Sequence, residues 1–178
     1  MINQSQPQQQ SMSGSNRSRI RSLVLSLPGI HMRQVQRILG LSFSSVRYNI
    51  DSLKKSREII DWSQTGHSRL FPPEVSEWEK IVYSNLRSRS SRKILRAFSQ
   101  HDKLTNRELA EITGYAKSTL SESTHRLLDE GILIISFSQE GRVAYQLKNP
   151  DRLLPMIRAA DQTVLEEVTD RFIQLWDF

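Results

Sequence analysis

The chain has 178 residues, of which 37% are hydrophobic and 25% charged, and this length holds one ordinary domain or two small ones. It contains no cysteine, which excludes disulfide scaffolds, thiol nucleophiles and sulfur-ligated metal sites. No apolar run approaches the length of a membrane span, and residues 1–16 lack the apolar segment of a signal peptide, so we expect a soluble, intracellular protein. A net charge of +6 indicates a polyanionic partner.

The charge is distributed unevenly along the chain. Residues 1–16 are rich in Gln and Ser and carry no charge, which predicts a disordered arm. Residues 17–71 carry ten Lys and Arg against three Asp and Glu, whereas residues 91–148 carry nine against seven. Residues 149–178 are acidic, with three against six. This segregation favours nucleic-acid contact through the first third of the chain.

Beyond the arm, the sequence repeats itself at an offset of 74 residues. When Gly40 is aligned with Gly114, apolar residues match at helical spacing on both sides of the glycine. The matched pairs include Ile20 with Ile94, Val35 with Leu109, Val46 with Leu120, and Leu53 with Leu127. The chain therefore contains two copies of one unit, at residues 17–73 and 91–148.

Each copy predicts three helices followed by a small hairpin. The first helices are expected at residues 17–27 and 91–100, the second after His31 and Thr105, and the third at residues 44–56 and 118–130. Strands are expected at residues 58–62, 69–71, 132–137 and 143–147. Thr105 with Glu108 forms a capping box, and Gly40 and Gly114 end the second helices because glycine accepts a positive φ. This arrangement is a winged helix, in which the hairpin is the wing.

Two segments lie outside the repeats. Residues 74–90 predict an amphipathic linker helix, and residues 149–178 predict C-terminal helices that start at Asn149-Pro150. The last helix carries an apolar stripe of Leu165, Val168, Phe172, Leu175 and the neighbouring Trp176. So much apolar area predicts homodimerisation through these extra helices, and packing on the second copy's own core is the alternative. The expected fold class is mainly α with small β-hairpin wings: two tandem winged helix-turn-helix domains plus linker and C-terminal helices.

The repeats also resemble known regulators. The stretch LAEITGYAKSTLSESTHRLLDEGILI (Leu109–Ile134) resembles the helix-turn-helix signature of MarR/ArsR-type winged-helix regulators, and GRVAYQL (Gly141–Leu147) resembles their wing-return strand. The first copy, PGIHMRQVQRILGLSFSSVRYNIDSL with GHSRLFPP, is similar to archaeal regulators that carry two such units in one chain. It lacks the Glu-Gly stop at Ser56-Arg57, which leaves the length of its third helix open. The resemblance covers about residues 17–148 and implies a DNA-binding transcription regulator.

The third helix of each copy presents an outward face that can enter the major groove of DNA. Arg47 is suited to a guanine, whereas Lys54 and Lys55 are suited to phosphates. The expected DNA-binding residues of the first copy are Arg33, Arg37, Ser44, Ser45, Arg47, Tyr48, Asp51, Lys54, Lys55, Arg57, His67 and Arg69, with Arg17, Arg19 and Arg21 as further phosphate candidates. Those of the second copy are Lys117, Ser118, Ser121, Glu122, His125 and Arg142, although this copy carries little net charge and contact with a protein is an equal alternative.

We therefore expect a cytoplasmic, nucleoid-associated transcription regulator that binds double-stranded DNA as a homodimer. The alternatives are a nonspecific chromatin or replication-associated DNA-binding protein, and a tandem winged-helix scaffold that binds other proteins. The basic first copy argues against the scaffold but not against chromatin binding. No Walker loop, dinucleotide glycine motif or paired metal-ligand motif occurs, and the four histidines lie in different elements, so no cofactor, metal site or enzymatic activity is expected.

Overall fold

The computed structural model describes residues 7–63, 66 and 68–161, with side chains from residue 16 onward. The chain divides into two compact units, Met1–Lys80 and Ile81–Phe178, which are called here the first and second unit. No helix in the described part of the chain is both long and apolar enough to cross a membrane.

The first unit contains three helices and a two-stranded wing. Its elements are α1 (Pro7–Ser26), α2 (Met32–Leu39), α3 (Phe43–Lys55), β1 (Ile60–Trp62), β2 (Arg69–Phe71) and the start of α4 (Glu77–Arg87). The two strands are antiparallel, with Ile60 opposite Phe71. Val46, Ile50 and Leu53 of α3 are buried in a core that also contains Ile20 of α1 and Val35 of α2. The predicted inward face of α3 is thereby confirmed.

The second unit repeats this arrangement. After the end of α4 come α5 (Arg89–Ala97), β3 (Leu104–Thr105), α6 (Asn106–Thr113), α7 (Lys117–Asp129), β4 (Leu133–Phe137), β5 (Val143–Leu147) and a helix α8 over residues 150–161. The sheet order is β3-β5-β4. The sequence did not predict β3, which is only two residues long and pairs Leu104 with Tyr145. Its counterpart in the first unit is a single bridge between Ile30 and Leu70.

Helix ends match between the two units. Gly40 and Gly114 end α2 and α6 with φ of +63° and +65°, as the sequence predicts. The predicted capping box is present, since the backbone N–H of Thr105 donates to Oε2 of Glu108 over 2.7 Å. Both third helices have 13 residues, so the missing Glu-Gly stop does not lengthen α3. Arg57 takes the left-handed conformation, with φ of +58°, that Gly131 takes in the second unit.

Helices occupy the described parts of both ends of the chain. The first, α1, begins at Pro7, inside the segment of residues 1–16 for which the sequence predicts a disordered arm. Gln is a good helix former, and a helix already nucleated by its buried part gains one hydrogen bond for each further residue. At the other end, Leu153 and Ile157 of α8 are fully buried, so this helix packs within the second unit. The apolar stripe predicted from Leu165 onward lies outside the described residues.

Candidate nucleic-acid interface

The exposed side of α3 forms one continuous stripe. Six of its side chains are exposed, and this set is called the α3 face: Phe43, Ser44, Arg47, Tyr48, Asp51 and Lys55. The stripe begins at the N-cap, Ser42, whose hydroxyl accepts a hydrogen bond from the backbone N–H of Ser45 over 3.2 Å. Two further predicted contact residues of α3, Ser45 and Lys54, are half-buried, and the backbone carbonyl of Ser45 accepts a hydrogen bond from the Asn49 side chain over 2.8 Å.

A concavity lies between α2 and the start of α3. It is lined by Arg33, Gln36, Arg37 and Phe43, and it is called here the cationic concavity. Arg33 and Arg37 are four residues apart on α2, where two like charges destabilise a helix by about 0.2–0.5 kcal/mol. An anion bound between the two guanidinium groups would relieve this repulsion. The cationic concavity is therefore suited to an anionic ligand.

Phe43 is not among the residues that the sequence predicts to contact DNA. Its spacing of three residues from Val46 places it on the apolar stripe of α3, which predicts burial. In the structure 48% of Phe43 is exposed, because the core of the first unit does not extend to the first residue of this helix. Periodicity alone does not distinguish an apolar residue in the core from one at the end of the same stripe.

Several cations of the first unit are available to a ligand. They are exposed and form no ion pair or side-chain hydrogen bond with the described residues: Arg19, Arg33, Arg37, Arg47, Lys55 and Arg57. Arg19, on α1, was predicted as a further phosphate candidate, and the other five, on α2 and α3 or just after α3, were predicted as DNA-binding residues. His67, which was predicted with them, lies outside the described residues.

Other predicted cations are engaged within the fold. Lys54 Nζ lies 2.6 Å from Asp61 Oδ2 on β1, and Arg69 Nη1 donates to the carbonyl of Gly29 over 2.9 Å. Arg17 and Arg21 both pair with one carboxylate on the turn after α3. These side chains hold elements of the first unit together, and their charges are therefore less available to a phosphate.

That shared carboxylate is Glu58. The Ser56 hydroxyl donates to it over 2.8 Å, and this bond together with the Arg17 and Arg21 guanidiniums lowers the pKa of Glu58 below its ordinary value. Arg21 Nε lies 3.0 Å from Oε2 of the carboxylate. The cluster ties α1 to the end of α3, which fixes the helix that carries the α3 face.

The second unit lacks this set of free cations. At the offset of 74 residues, the five predicted cations of α2, α3 and the turn after α3 are replaced by Arg107, Glu111, Ser121, Asp129 and Gly131. Only Arg107 retains a cation, and its Nε lies 2.9 Å from Glu111 Oε1, which raises the pKa of the guanidinium. The concavity between α6 and α7 therefore contains an ion pair where the first unit has two free arginines.

The remaining predicted residues of the second unit carry mixed charge. Lys117, Ser118, Ser121, Glu122 and His125 are exposed on α7, as predicted for a groove-facing surface. At the wing, Arg142 Nη2 lies 3.1 Å from Glu140 Oε2. The face of this unit is thus close to neutral at the positions where the first unit is positive.

The wing of the second unit carries an apolar patch that the sequence analysis did not identify. Phe137 on β4 lies opposite Val143 on β5, and these side chains are 60% and 53% exposed. Ile135 lies on the same face of β4, two residues earlier, and is also exposed.

Within the described residues, no group of three His, Asp or Glu side chains is placed to hold a metal ion.

Comparison with known proteins agrees with this architecture. A family model described as an N-terminal HTH domain matches residues 14–82, and a model described as winged helix-turn-helix DNA-binding matches residues 87–134. No curated protein matches the chain.

Two solved structures are similar over most of the chain. A conserved hypothetical protein from Chlorobium tepidum is 17% identical, over 84% of this chain and 99% of its own, with a TM-score of 0.30. ScpB from Mycobacterium tuberculosis is 13% identical, over 79% of this chain and 96% of its own, with a TM-score of 0.31. Both TM-scores are below 0.5, so neither similarity supports an inference about this chain. The two family matches and the repeated helices and wings make the chain a tandem winged helix-turn-helix protein.

Proposed function

We propose that the protein is a transcription regulator that reads duplex DNA mainly with its first unit. The observation that carries this proposal is the contrast between the two units. The first has five exposed cations without partners around α2 and α3, whereas the same positions of the second contain one ion-paired arginine and no other cation. A cluster of cations without partners on one face is the electrostatic signature of a surface that binds a polyanion.

The major groove of B-DNA is about 12 Å wide and admits one helix, whose N-terminal residues contact base edges. In this pose Ser44 and Arg47 face the bases, and a bidentate contact from Arg47 to guanine contributes about 1–3 kcal/mol of discrimination. Lys55 and Arg57, at the other end of α3, contact phosphates. Arg33 and Arg37 bind the backbone beside the groove, which fixes the position of the helix without reading sequence.

The first test is DNA binding as a function of salt. Counterion release predicts that log K falls with log[salt] with a slope of about −0.9 for each neutralised phosphate. A selection from a random duplex pool then identifies the preferred sequence. A flat salt response contradicts DNA binding altogether, whereas a steep slope with equal affinity for all duplexes indicates chromatin-type binding.

Matched variants in the two units assign the interface. Arg37→Ala should make the salt slope shallower by about one unit, whereas Arg107→Ala in the second unit should leave it unchanged because that charge is already paired. Arg47→Ala should relax preference at one base position, and Lys55→Ala should weaken binding to every duplex equally. An Arg47→Ala protein with unchanged sequence preference would show that the groove assignment is wrong.

We also propose that the regulator acts as a homodimer in the cytoplasm, associated with the nucleoid. The support for the dimer is the apolar stripe in residues 162–178, together with the apolar patch on the second wing. DNA-binding proteins of this class read two half-sites when they are symmetric dimers. The nearly neutral second unit is then free to contact a protein.

A further inference from the structure

Phe43 has an unusual position for an apolar side chain. It is the first residue of α3 and is 48% exposed. The other residues that line the cationic concavity beside it are all polar or charged: Arg33, Gln36 and Arg37. The equivalent residue of the second unit is Lys117, a polar choice that suits an exposed first turn.

The chemistry of the α3 face indicates what Phe43 meets. Of its six side chains, Phe43 alone has no polar atom. If α3 enters the major groove as proposed above, its first turn lies against base edges. Each edge there presents hydrogen-bond donors and acceptors, and thymine adds the 5-methyl group, the one apolar group among the four bases. An aromatic ring without a polar atom cannot hydrogen-bond to the donors and acceptors of a paired base edge, so the thymine methyl is the group at that edge that suits it.

We propose that Phe43 contacts the 5-methyl group of a thymine and so determines specificity at one base pair. This inference rests on the proposed function, because it requires α3 in the major groove. It adds the chemical feature that is read: Arg47 and Ser44 read by hydrogen bonding, whereas Phe43 reads by apolar contact. The flanking Arg33 and Arg37 hold the backbone, which keeps the ring against the base edge.

The test removes only the methyl group. The duplex recovered from the selection is synthesised with deoxyuridine in place of each thymidine in turn, and affinity is measured for the full chain. At one position the wild-type protein should lose about fourfold in affinity, the effect of one buried methyl group. Phe43→Ser should bind the thymine and uracil duplexes equally, as should Phe43→Lys, which introduces the residue of the second unit.

The matched control is Leu25→Ser. Leu25 is 42% exposed on α1, outside the α3 face, so this variant removes a similar exposed apolar side chain and should keep the full methyl effect. Circular dichroism checks that each variant is folded. If Phe43→Ser does not fold, the comparison of thymine and uracil duplexes is made with Phe43→Lys. Wild-type affinity that is unchanged at every uracil position, or a methyl effect that survives in both Phe43 variants, overturns the proposal.

Two other outcomes are distinguishable from these. A wild-type protein that binds no duplex at any salt concentration overturns the proposed function itself. A protein that prefers single strands over the selected duplex would indicate that Phe43 stacks on unpaired bases, which overturns the contact with the methyl group.

Discussion

Arg57 adopts a backbone conformation that its equivalent, Gly131, adopts without strain. The same two hydrogen bonds close both helix ends: Arg57 N–H donates to Lys54 and Glu58 N–H to Leu53, while Gly131 N–H donates to Leu128 and the following N–H to Leu127. A side chain in the left-handed region costs about 1–2 kcal/mol, and glycine avoids that cost. The first unit therefore tolerates strain where it keeps an exposed cation.

Arg57→Gly should raise the free energy of unfolding by about 1 kcal/mol, because the strain is removed and only part of the gain is offset by the added entropy of the unfolded chain. The same variant should bind every duplex more weakly, since the proposed phosphate contact of Arg57 is lost. Denaturant unfolding and a binding series at several salt concentrations measure the two effects.

The reverse change, Gly131→Arg, is the control and should destabilise the second unit without improving DNA binding. A variant Arg57→Gly that is less stable than the wild type would show that the Arg57 side chain contributes to folding more than its backbone conformation costs.

At the scale of elements, the end of α7 is held against α4 by a carboxylate. Glu130 is partly buried, and the Asn85 side chain donates to its Oε2 over 2.5 Å. Burial raises the pKa of Glu130 above its ordinary value, because the charged form loses hydration. Protonation of the Glu130 side chain therefore favours the folded state.

Glu130→Gln should stabilise the protein at pH 7, because the amide oxygen still accepts from Asn85 and no charge is buried. Because the pKa of Glu130 is raised in the folded state, ionisation of this residue lowers the free energy of unfolding of the wild type as pH rises through that pKa. Below the ordinary value of 4.5 the residue is protonated in both states, and this destabilisation is absent. The stability difference between variant and wild type should thus be largest near neutral pH and shrink toward pH 4. Urea unfolding at several pH values measures it, and a difference independent of pH would contradict this account.

Elements with strong local signals were predictable from the sequence. The ends of the second helices were predictable from Gly40, Gly114 and the Thr105 capping box. The inward faces of the helices were predictable from the helical spacing of the apolar residues. The two-residue strand β3 and the bridge at Ile30 carry no such signal, because they exist only through pairing with a distant strand. The extension of α1 back to Pro7 also has no clear local signal, because the Gln and Ser composition of this segment suits disorder as well as helix.

The interface was less predictable than the fold. Sequence identified the basic residues of the first unit, and six of them are free within the described structure. It did not show that Arg17 and Arg21 are engaged, since their partner Glu58 is 41 and 37 residues away along the chain. The availability of a cation depends on tertiary contacts, whereas its presence depends on composition alone.

At the scale of the whole molecule, the proposed dimer rests on residues 162–178. Truncation after Asp161 should convert the dimer to a monomer, because it removes the apolar stripe that begins at Leu165. Light scattering of the full and truncated chains measures the mass. Phe137→Ser, which makes the second wing patch polar, is the companion variant.

If the truncated chain is still a dimer and Phe137→Ser is a monomer, the interface is the wing patch and not the C-terminal segment. A full-length chain that is monomeric at all concentrations contradicts the dimer.

The shared helix ends and cores of the two units also bear on how such a chain can change over time. Positions such as Gly114, Leu120 and Leu127 maintain the fold, while most of the solvent-facing positions of α2 and α3 differ from their counterparts in α6 and α7. Folding and the proposed recognition depend on different positions of the repeated unit. Surface substitutions in one copy can therefore change what that copy binds without disturbing the fold of either copy. Specialisation after duplication then needs only a few surface substitutions.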